Sequence, residues 1–232
     1  MRRSILAAVC LTFGLTSGAM AQSNAAVVEL FTSQGCSSCP PADAFLAEIA
    51  DREDVIALAL HVDYWDYIGW ADTFASPAFT ARQHAYARAA QERTVYTPQV
   101  VVGGADHVIG SSPAEVSALI ARQQAAPVLA ALTVTRTGGS VAIRATAAAG
   151  LGGSVDVQLI RYLPQASVAI ERGENAGRTI LYRNIVTRID DLGSWDGSGT
   201  LAMQAPLAAG EPVVVVLQRP ASGPIVAAAQ LR

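Results

Sequence analysis

Two cysteines, Cys36 and Cys39, are separated by two residues and are the side chains of this sequence best suited to chemistry. Such a pair can cycle between dithiol and disulfide, because one thiolate attacks a partner's disulfide and the second cysteine then resolves the mixed disulfide. Cys36 is the predicted nucleophile and Cys39 the predicted resolving cysteine. Two other interpretations fit the same pair: a structural disulfide in a non-catalytic periplasmic binding module, or a Cys/His copper or zinc site.

The cysteine pair lies between an apolar segment and a helix-like segment. Residues 25–32 are rich in β-branched and aromatic side chains and predict a buried strand, whereas residues 39–53 have an apolar side at helical spacing. This pattern places Cys36 at the start of a helix, where free backbone N–H groups and the helix dipole stabilise a thiolate. We expect Cys36 to be partly exposed and Cys39 to be buried one helical turn later.

The first residues of the chain predict a secretory signal peptide. A basic start precedes an apolar run that ends in the small-x-small pattern of residues 19–21, so residues 1–21 are expected to be removed. Cleavage would also remove Cys10, the third cysteine. The predicted location is the periplasm or the outside of the cell, where two remaining cysteines usually form a bond. A bridge across so short a loop restrains the unfolded chain little, which argues against a purely structural role.

The composition excludes several classes of function. The chain of 232 residues contains no lysine and has a formal net charge of −3. Without a basic excess, binding to nucleic acid or to an anionic membrane has no electrostatic support. The lack of lysine also excludes a P-loop nucleotide site and a lysine Schiff base. No cofactor and no membrane anchor beyond the signal peptide are predicted, and the sequence leaves the oligomeric state open.

The segments after the signal peptide predict two domains of different class. In residues 24–126 the order is strand, helix, strand, helix, strand, strand, helix, which is typical of an α/β sheet. In residues 127–232 alternating apolar and polar residues are separated by turn signals roughly every ten residues, as in an antiparallel β-sandwich. We therefore expect an α/β domain followed by a separate all-β antiparallel sandwich domain.

Four separated segments make the chain similar to one bacterial secreted family. The segments are ELFTSQGCSSCPPAD, HVDYWDYIGWADTFASP, YTPQVVVGG and RGENAGRTILYRNIV, and they resemble domain-of-unknown-function family 1223. The resemblance covers nearly all of the chain after the signal peptide. It implies a thioredoxin-like α/β fold for residues 24–126, with a helical insertion at about residues 64–93, and it leaves the substrate open.

The thioredoxin-like resemblance implies further site residues. In such folds a cis-proline begins the strand that faces the cysteines, and the preceding residue presents its backbone to the substrate; Pro98 and Thr97 match these positions. Such folds also keep a buried carboxylate near the resolving cysteine as a proton acceptor. Glu29 is the candidate, with Asp63 as its competitor and an exposed edge position as the alternative. The expected partner is a protein thiol or disulfide, and the expected activity is thiol–disulfide exchange.

Three further features have two interpretations each. The aromatic residues of the predicted insertion form either a wall beside the disulfide or, as we favour, ordinary core packing; they are Tyr64, Trp65, Tyr67, Trp70, Phe74 and Phe79. Residues 171–184 either dock over the cysteines or, as we favour, form a plain hairpin connection. The histidines lie at no recognisable ligand spacing, so redox chemistry is favoured over a metal site; they are His61, His84 and His107.

Overall fold

The computed structural model describes residues 25–232, and the predicted signal peptide lies outside these residues. Within them the chain forms three α-helices, one 3-10 helix (Asp66–Ile68) and eleven strands. The helices are α1 (Pro40–Ile49), α2 (Pro77–Ala89) and α3 (Pro113–Gln124). The strands are β1 (Ala26–Thr32), β2 (Val55–His61), β3 (Gln99–Val102), β4 (Asp106–Ile109), β5 (Ala130–Thr137), β6 (Ser140–Ala147), β7 (Val155–Ala169), β8 (Thr179–Trp195), β9 (Thr200–Pro206), β10 (Val213–Gln218) and β11 (Ile225–Leu231).

The first seven elements follow the order that the sequence predicts. β1 and β2 are parallel, and β3 runs antiparallel to β1 and to β4. Every residue of β1 and β2 is buried, because α1 and α3 cover one face of the sheet and α2 covers the other. Each helix begins with a proline in its first turn, where the fixed φ favours the helix and no N–H partner is needed.

The predicted division into a thioredoxin-like α/β domain and a separate all-β sandwich is wrong. One mixed sheet of eight strands, in the order β11-β10-β7-β8-β2-β1-β3-β4, contains strands from both halves of the chain. β8 lies beside β2, with Ala59 opposite Ile185, and the Asn184 side chain donates a 2.9 Å hydrogen bond to the Ala57 carbonyl. More of the described residues lie in strands than in helices. The two halves form one sheet, because β2 has β8 from the second half as its second neighbour.

A smaller sheet of three strands, in the order β5-β6-β9, packs against the second-half strands of the large sheet. β10 shows why both layers are needed. Val213, Val215 and Leu217 face the small sheet, whereas Val214 and Val216 face the core beneath α2. A strand that is buried on both faces has a continuous run of apolar residues in its sequence, and β10 begins with such a run, VVVVL. The strands of this half were therefore predicted correctly, but their assignment to an independent domain was not.

Candidate functional site

A disulfide joins Cys36 and Cys39 in the turn between β1 and α1, with the two Cα atoms 5.4 Å apart. Cys39 is the N-cap of α1, and its carbonyl accepts hydrogen bonds from the amides of Ala42 (2.9 Å) and Asp43 (3.1 Å). Cys36 lies three residues earlier, outside the helix. The prediction that Cys36 itself begins the helix is therefore wrong by one turn, since it is Cys39 that occupies the helix start.

Both cysteines are buried: Cys36 is 3 % exposed and Cys39 is 0 % exposed. The expected partial exposure of Cys36 is wrong, whereas the burial of Cys39 is as predicted. The two serines between them are exposed. The Ser38 hydroxyl lies 3.3 Å from the Cys36 sulfur, so an exposed side chain contacts this buried sulfur.

The Thr97–Pro98 peptide bond is cis, as the sequence predicts. Thr97 lies between the cysteine turn and the aromatic segment. Its carbonyl is 3.5 Å from the Ser38 hydroxyl, and its own hydroxyl accepts a 2.7 Å hydrogen bond from the Trp65 indole N–H. The structure thus places Thr97, the residue before Pro98, beside Ser38 in the turn between the two cysteines.

The aromatic segment after β2 does more than fill the core. Phe79 is buried, as core packing requires, but Tyr67 is 80 % exposed and stacks on Trp65 with ring centroids 6.4 Å apart. The Trp70 indole N–H donates a 2.8 Å hydrogen bond to the Gln34 side chain, just before the cysteines. Part of this segment is therefore a wall beside the disulfide turn, which is the interpretation that the sequence analysis did not favour.

A loop from the second half of the chain also contacts the site. It connects β7 with β8, and its Asn175 side chain is buried there. The Asn175 amide donates two hydrogen bonds of 2.9 Å, one to the Gln34 carbonyl and one to the Cys36 carbonyl. The segment is the hairpin connection that we favoured, since β7 and β8 are antiparallel neighbours, and it also holds the backbone of the cysteine turn in place.

Glu29 is buried, but the structure does not place it beside the cysteines. It accepts hydrogen bonds from the Arg82 guanidinium (2.7 Å) and from the Tyr86 hydroxyl (2.5 Å) on α2. Successive side chains of a strand point to opposite faces, and Glu29 points to the face that α2 covers, whereas α1 with Cys39 covers the other. Asp63, the other candidate for the proton acceptor, is half-buried and accepts a hydrogen bond from the Thr80 hydroxyl on α2.

The helix that begins at Cys39 carries a different buried carboxyl group, that of Asp43. Asp43 lies one turn after Cys39 on α1 and is 3 % exposed. Helical side chains point toward the helix N-terminus, so this carboxyl lies over the turn that carries Cys39. Its Oδ1 accepts a 2.8 Å hydrogen bond from the Thr32 hydroxyl. Burial raises the pKa of Asp43 to about 7, while His61 and Thr32 act in the opposite direction, so it can take or release a proton near neutral pH.

The comparisons with known proteins agree with this architecture. The model of the family described as Protein of unknown function (DUF1223) matches residues 27–218. The chain belongs to this family. A crystal structure of an Agrobacterium tumefaciens protein is 32 % identical, with a TM-score of 0.78 over 90 % of this chain and 94 % of that one. HBP35 of Porphyromonas gingivalis shares the fold at 18 % identity and a TM-score of 0.63, over 90 % and 75 % of the two chains. No curated protein matches the chain.

Within residues 25–232, no three His, Cys, Asp or Glu side chains are grouped in a way that could hold a metal ion. None of the helices in the same range is long and apolar enough to cross a membrane.

The raised pKa of Asp43 predicts how stability depends on pH. The unfolded chain releases this proton near pH 3.8 and the folded protein near pH 7. Between these values the folded state binds more protons, so the free energy of unfolding should fall as the pH rises, by at most about 1.4 kcal/mol per pH unit. Asp43→Asn cannot ionise and should lose this part of the slope, which urea unfolding at several pH values measures.

Asp54→Asn is a matched control for this measurement. Asp54 is exposed, and its hydrogen bond with Arg52 lowers its pKa to about 2. Its contribution to stability is lost only below the window of interest, so this variant should keep the wild-type slope between about pH 4 and 7. Equal slopes for wild type and Asp43→Asn would show that Asp43 does not titrate as described.

Proposed function

We propose that the protein carries out thiol–disulfide exchange with a partner protein in the cell envelope, with Cys36 as nucleophile and Cys39 as resolving cysteine. The observation that carries the proposal is the Cys36–Cys39 disulfide at the start of α1, with the buried carboxyl of Asp43 one turn further on. A structural disulfide has no need of an acid that titrates near neutral pH beside it. A resolving cysteine does, because it attacks only as a thiolate.

In one direction of the exchange, this protein is oxidised and its partner is reduced. The Cys36 thiolate attacks one sulfur of the partner's disulfide, and the other partner sulfur leaves as a thiolate that takes a proton from water. Cys39 then gives its proton to the Asp43 carboxylate, and its sulfur attacks the Cys36 sulfur. The second partner sulfur leaves as a thiolate. Two electrons pass from this protein to the partner, and the reverse sequence describes oxidation of the partner.

The surroundings of the disulfide fit a partner that approaches from one side. The serine edge of the turn is exposed, whereas the aromatic segment and the Asn175 loop cover the rest. The Thr97 carbonyl lies at this open edge, 3.5 Å from the Ser38 hydroxyl. A backbone acceptor here can bind the amide of an extended partner segment, and exposed Tyr67 adds an aromatic surface nearby.

Exchange with glutathione tests the proposal. The reduced protein is mixed with oxidised glutathione, and intact mass spectrometry follows the mixed disulfide and the return of the Cys36–Cys39 bond. We expect wild type to react faster than free cysteine at the same pH. Cys36→Ser retains only the buried Cys39 and should react much more slowly than wild type. Ser37→Ala, in the same turn, is the control and should match wild type.

A reduced wild-type protein that reacts no faster than free cysteine would contradict the proposal. The disulfide would then be a structural link in a binding protein, and reduction should change the stability of the turn but no partner's redox state. The rate at which Cys36 reacts therefore separates the two classes of function.

A further inference from the structure

Asp43 and two buried side chains near it each leave a polar atom without a hydrogen-bond partner. The atoms are Asp43 Oδ2, the His61 Nε2 and the Tyr182 hydroxyl oxygen. They come from α1, β2 and β8, and they make up half of the buried unpaired side-chain atoms found within residues 25–232. An unpaired buried polar group costs about 1–3 kcal/mol, so three of them in one cluster need a reason other than stability.

The sheet register shows on which face of the sheet His61 lies. His61 is the register partner of Thr32 across the parallel β1–β2 pair, and Thr32 is the residue that hydrogen-bonds Asp43. Register partners of neighbouring strands point to the same face of a sheet. His61 therefore lies on the side that carries Asp43, and the Tyr182 ring packs edge-on against it with centroids 4.9 Å apart.

His61 is held in a fixed orientation. Its Nδ1 lies 2.7 Å from the Asp72 carboxylate, and both side chains are fully buried. Asp72 in turn accepts amide hydrogen bonds from Gln34 (2.7 Å) and Phe74 (2.8 Å), which fix the carboxylate. With Nδ1 bound to Asp72, the other ring nitrogen, Nε2, is the buried atom left without a partner among residues 25–232.

We propose that His61, anchored by Asp72, is a positioning residue for the resolving step, because the charge on its ring determines whether Asp43 is ready to accept the proton of Cys39. This inference rests on the exchange function proposed above. A positive ring favours the Asp43 carboxylate, and a neutral ring lets the buried carboxyl keep its proton. His61 does not touch the sulfur atoms and acts through Asp43 alone.

The charges that face Asp43 support this direction. Burial is the largest influence and raises its pKa, His61 lowers it, and Asp72 raises it by a smaller amount. Tyr182 faces the same acid from β8, and burial together with Asp43 and Asp72 raises the pKa of its hydroxyl, which stays protonated. These three side chains are the titratable neighbours of Asp43 from the packed elements, and His61 is the one among them that opposes its protonation.

The test follows the Asp43 carboxyl directly by carbon NMR in the oxidised protein, in wild type and in His61→Asn. Asparagine retains an amide near the Asp72 carboxylate but has no ionisable ring. We expect the Asp43 midpoint to rise by about one pH unit or more in the variant. The pH profile for resolution of the glutathione mixed disulfide should move to higher pH by the same amount. An unchanged midpoint in the folded variant would overturn the proposal.

His107→Asn is the matched control. His107 also pairs with a carboxylate through Nδ1, at 2.9 Å from Glu92, and also packs edge-on against a tyrosine, Tyr86. It lies on β4 opposite Val101, which faces the core under α2 rather than α1. This variant should leave both the Asp43 midpoint and the pH profile at their wild-type values. A shift as large as that of His61→Asn would show a general effect of histidine removal and contradict the proposal.

A wild-type measurement covers the case in which His61→Asn does not fold. The nitrogen NMR signals of the His61 ring should show a change at the pH at which the Asp43 carboxyl titrates, because the ring senses the charge of that carboxyl. Ring signals that do not respond at the Asp43 midpoint would overturn the proposal. If the two groups are coupled but the reduced protein fails to exchange with glutathione, the exchange function is wrong while the electrostatic coupling stands.

Discussion

Arg82→Met should lower the free energy of unfolding by about 3–5 kcal/mol, the largest stability effect that we expect from one side chain. The Arg82 guanidinium binds Glu29 at 2.7 Å, and neither side chain has appreciable solvent contact. It also donates to the Tyr86 hydroxyl (2.8 Å) and to the Gln158 side chain (3.1 Å). Removal of the cation leaves the Glu29 carboxylate buried without its counter-charge. Urea unfolding monitored by circular dichroism measures the loss.

Two further variants separate the cost of a buried charge from the loss of a side chain. Arg82→Met combined with Glu29→Gln removes both charges and should recover much of the lost stability, since no uncompensated ion remains. Arg52→Met breaks the exposed pair with Asp54, also at 2.7 Å, and should cost about 0–1 kcal/mol. If Arg82→Met were as mild as Arg52→Met, the Glu29 carboxylate would not depend on Arg82 as its buried counter-charge.

Cys39→Ser should convert a transient mixed disulfide into a stable one. Without the resolving sulfur, Cys36 stays bonded to its partner, and uncatalysed rearrangement takes on the order of minutes to hours. Expressed in cells and alkylated at harvest, this variant should give higher-mass bands on a non-reducing gel that disappear with reductant. Mass spectrometry of these bands identifies the partner, which the sequence leaves open.

The controls for trapping use the same turn. The double variant Cys36→Ser, Cys39→Ser has no sulfur to trap with and should give no such bands. Asp43→Asn should give weaker bands than Cys39→Ser but more than wild type, because resolution is slowed rather than abolished. An absence of reductant-sensitive bands with Cys39→Ser would argue against a protein disulfide as the substrate and favour the binding-protein interpretation.

Local patterns predicted the secondary structure well, because each strand and helix is determined by its own periodicity and caps. Pro77 and Pro113 each begin a helix, as their positions predict. Strand pairing is different, because it joins segments that are distant in sequence. Nothing local in residues 179–195 indicates that this strand lies beside β2 rather than in a separate sandwich. The fully buried β2, apolar from Val55 to Leu60, did contain a clue, since a strand buried on both faces is rarely an edge.

The sequence likewise predicted only part of the candidate site. The cysteine pair is a short motif and the cis bond at Pro98 was expected from the thioredoxin-like resemblance, whereas a buried carboxyl group near Cys39 was sought on β1 instead of α1. Asp43 lies on the apolar side of α1 between Ala42 and Leu46, and an acid in such a position is costly unless it has a purpose. Asn175 gave no local signal, because its partners are the carbonyls of Gln34 and Cys36, which any amide could bind.

The Asn175 contact also has a consequence for how the protein is made. A ribosome adds about 5–20 residues per second, so the 139 positions from Cys36 to Asn175 take roughly 7–28 s to complete at that pace. During this interval both thiols exist, but the amide that later binds the Gln34 and Cys36 carbonyls does not, and β2 lacks its neighbour β8. A disulfide that forms during this interval therefore closes in a turn that the Asn175 amide does not yet hold.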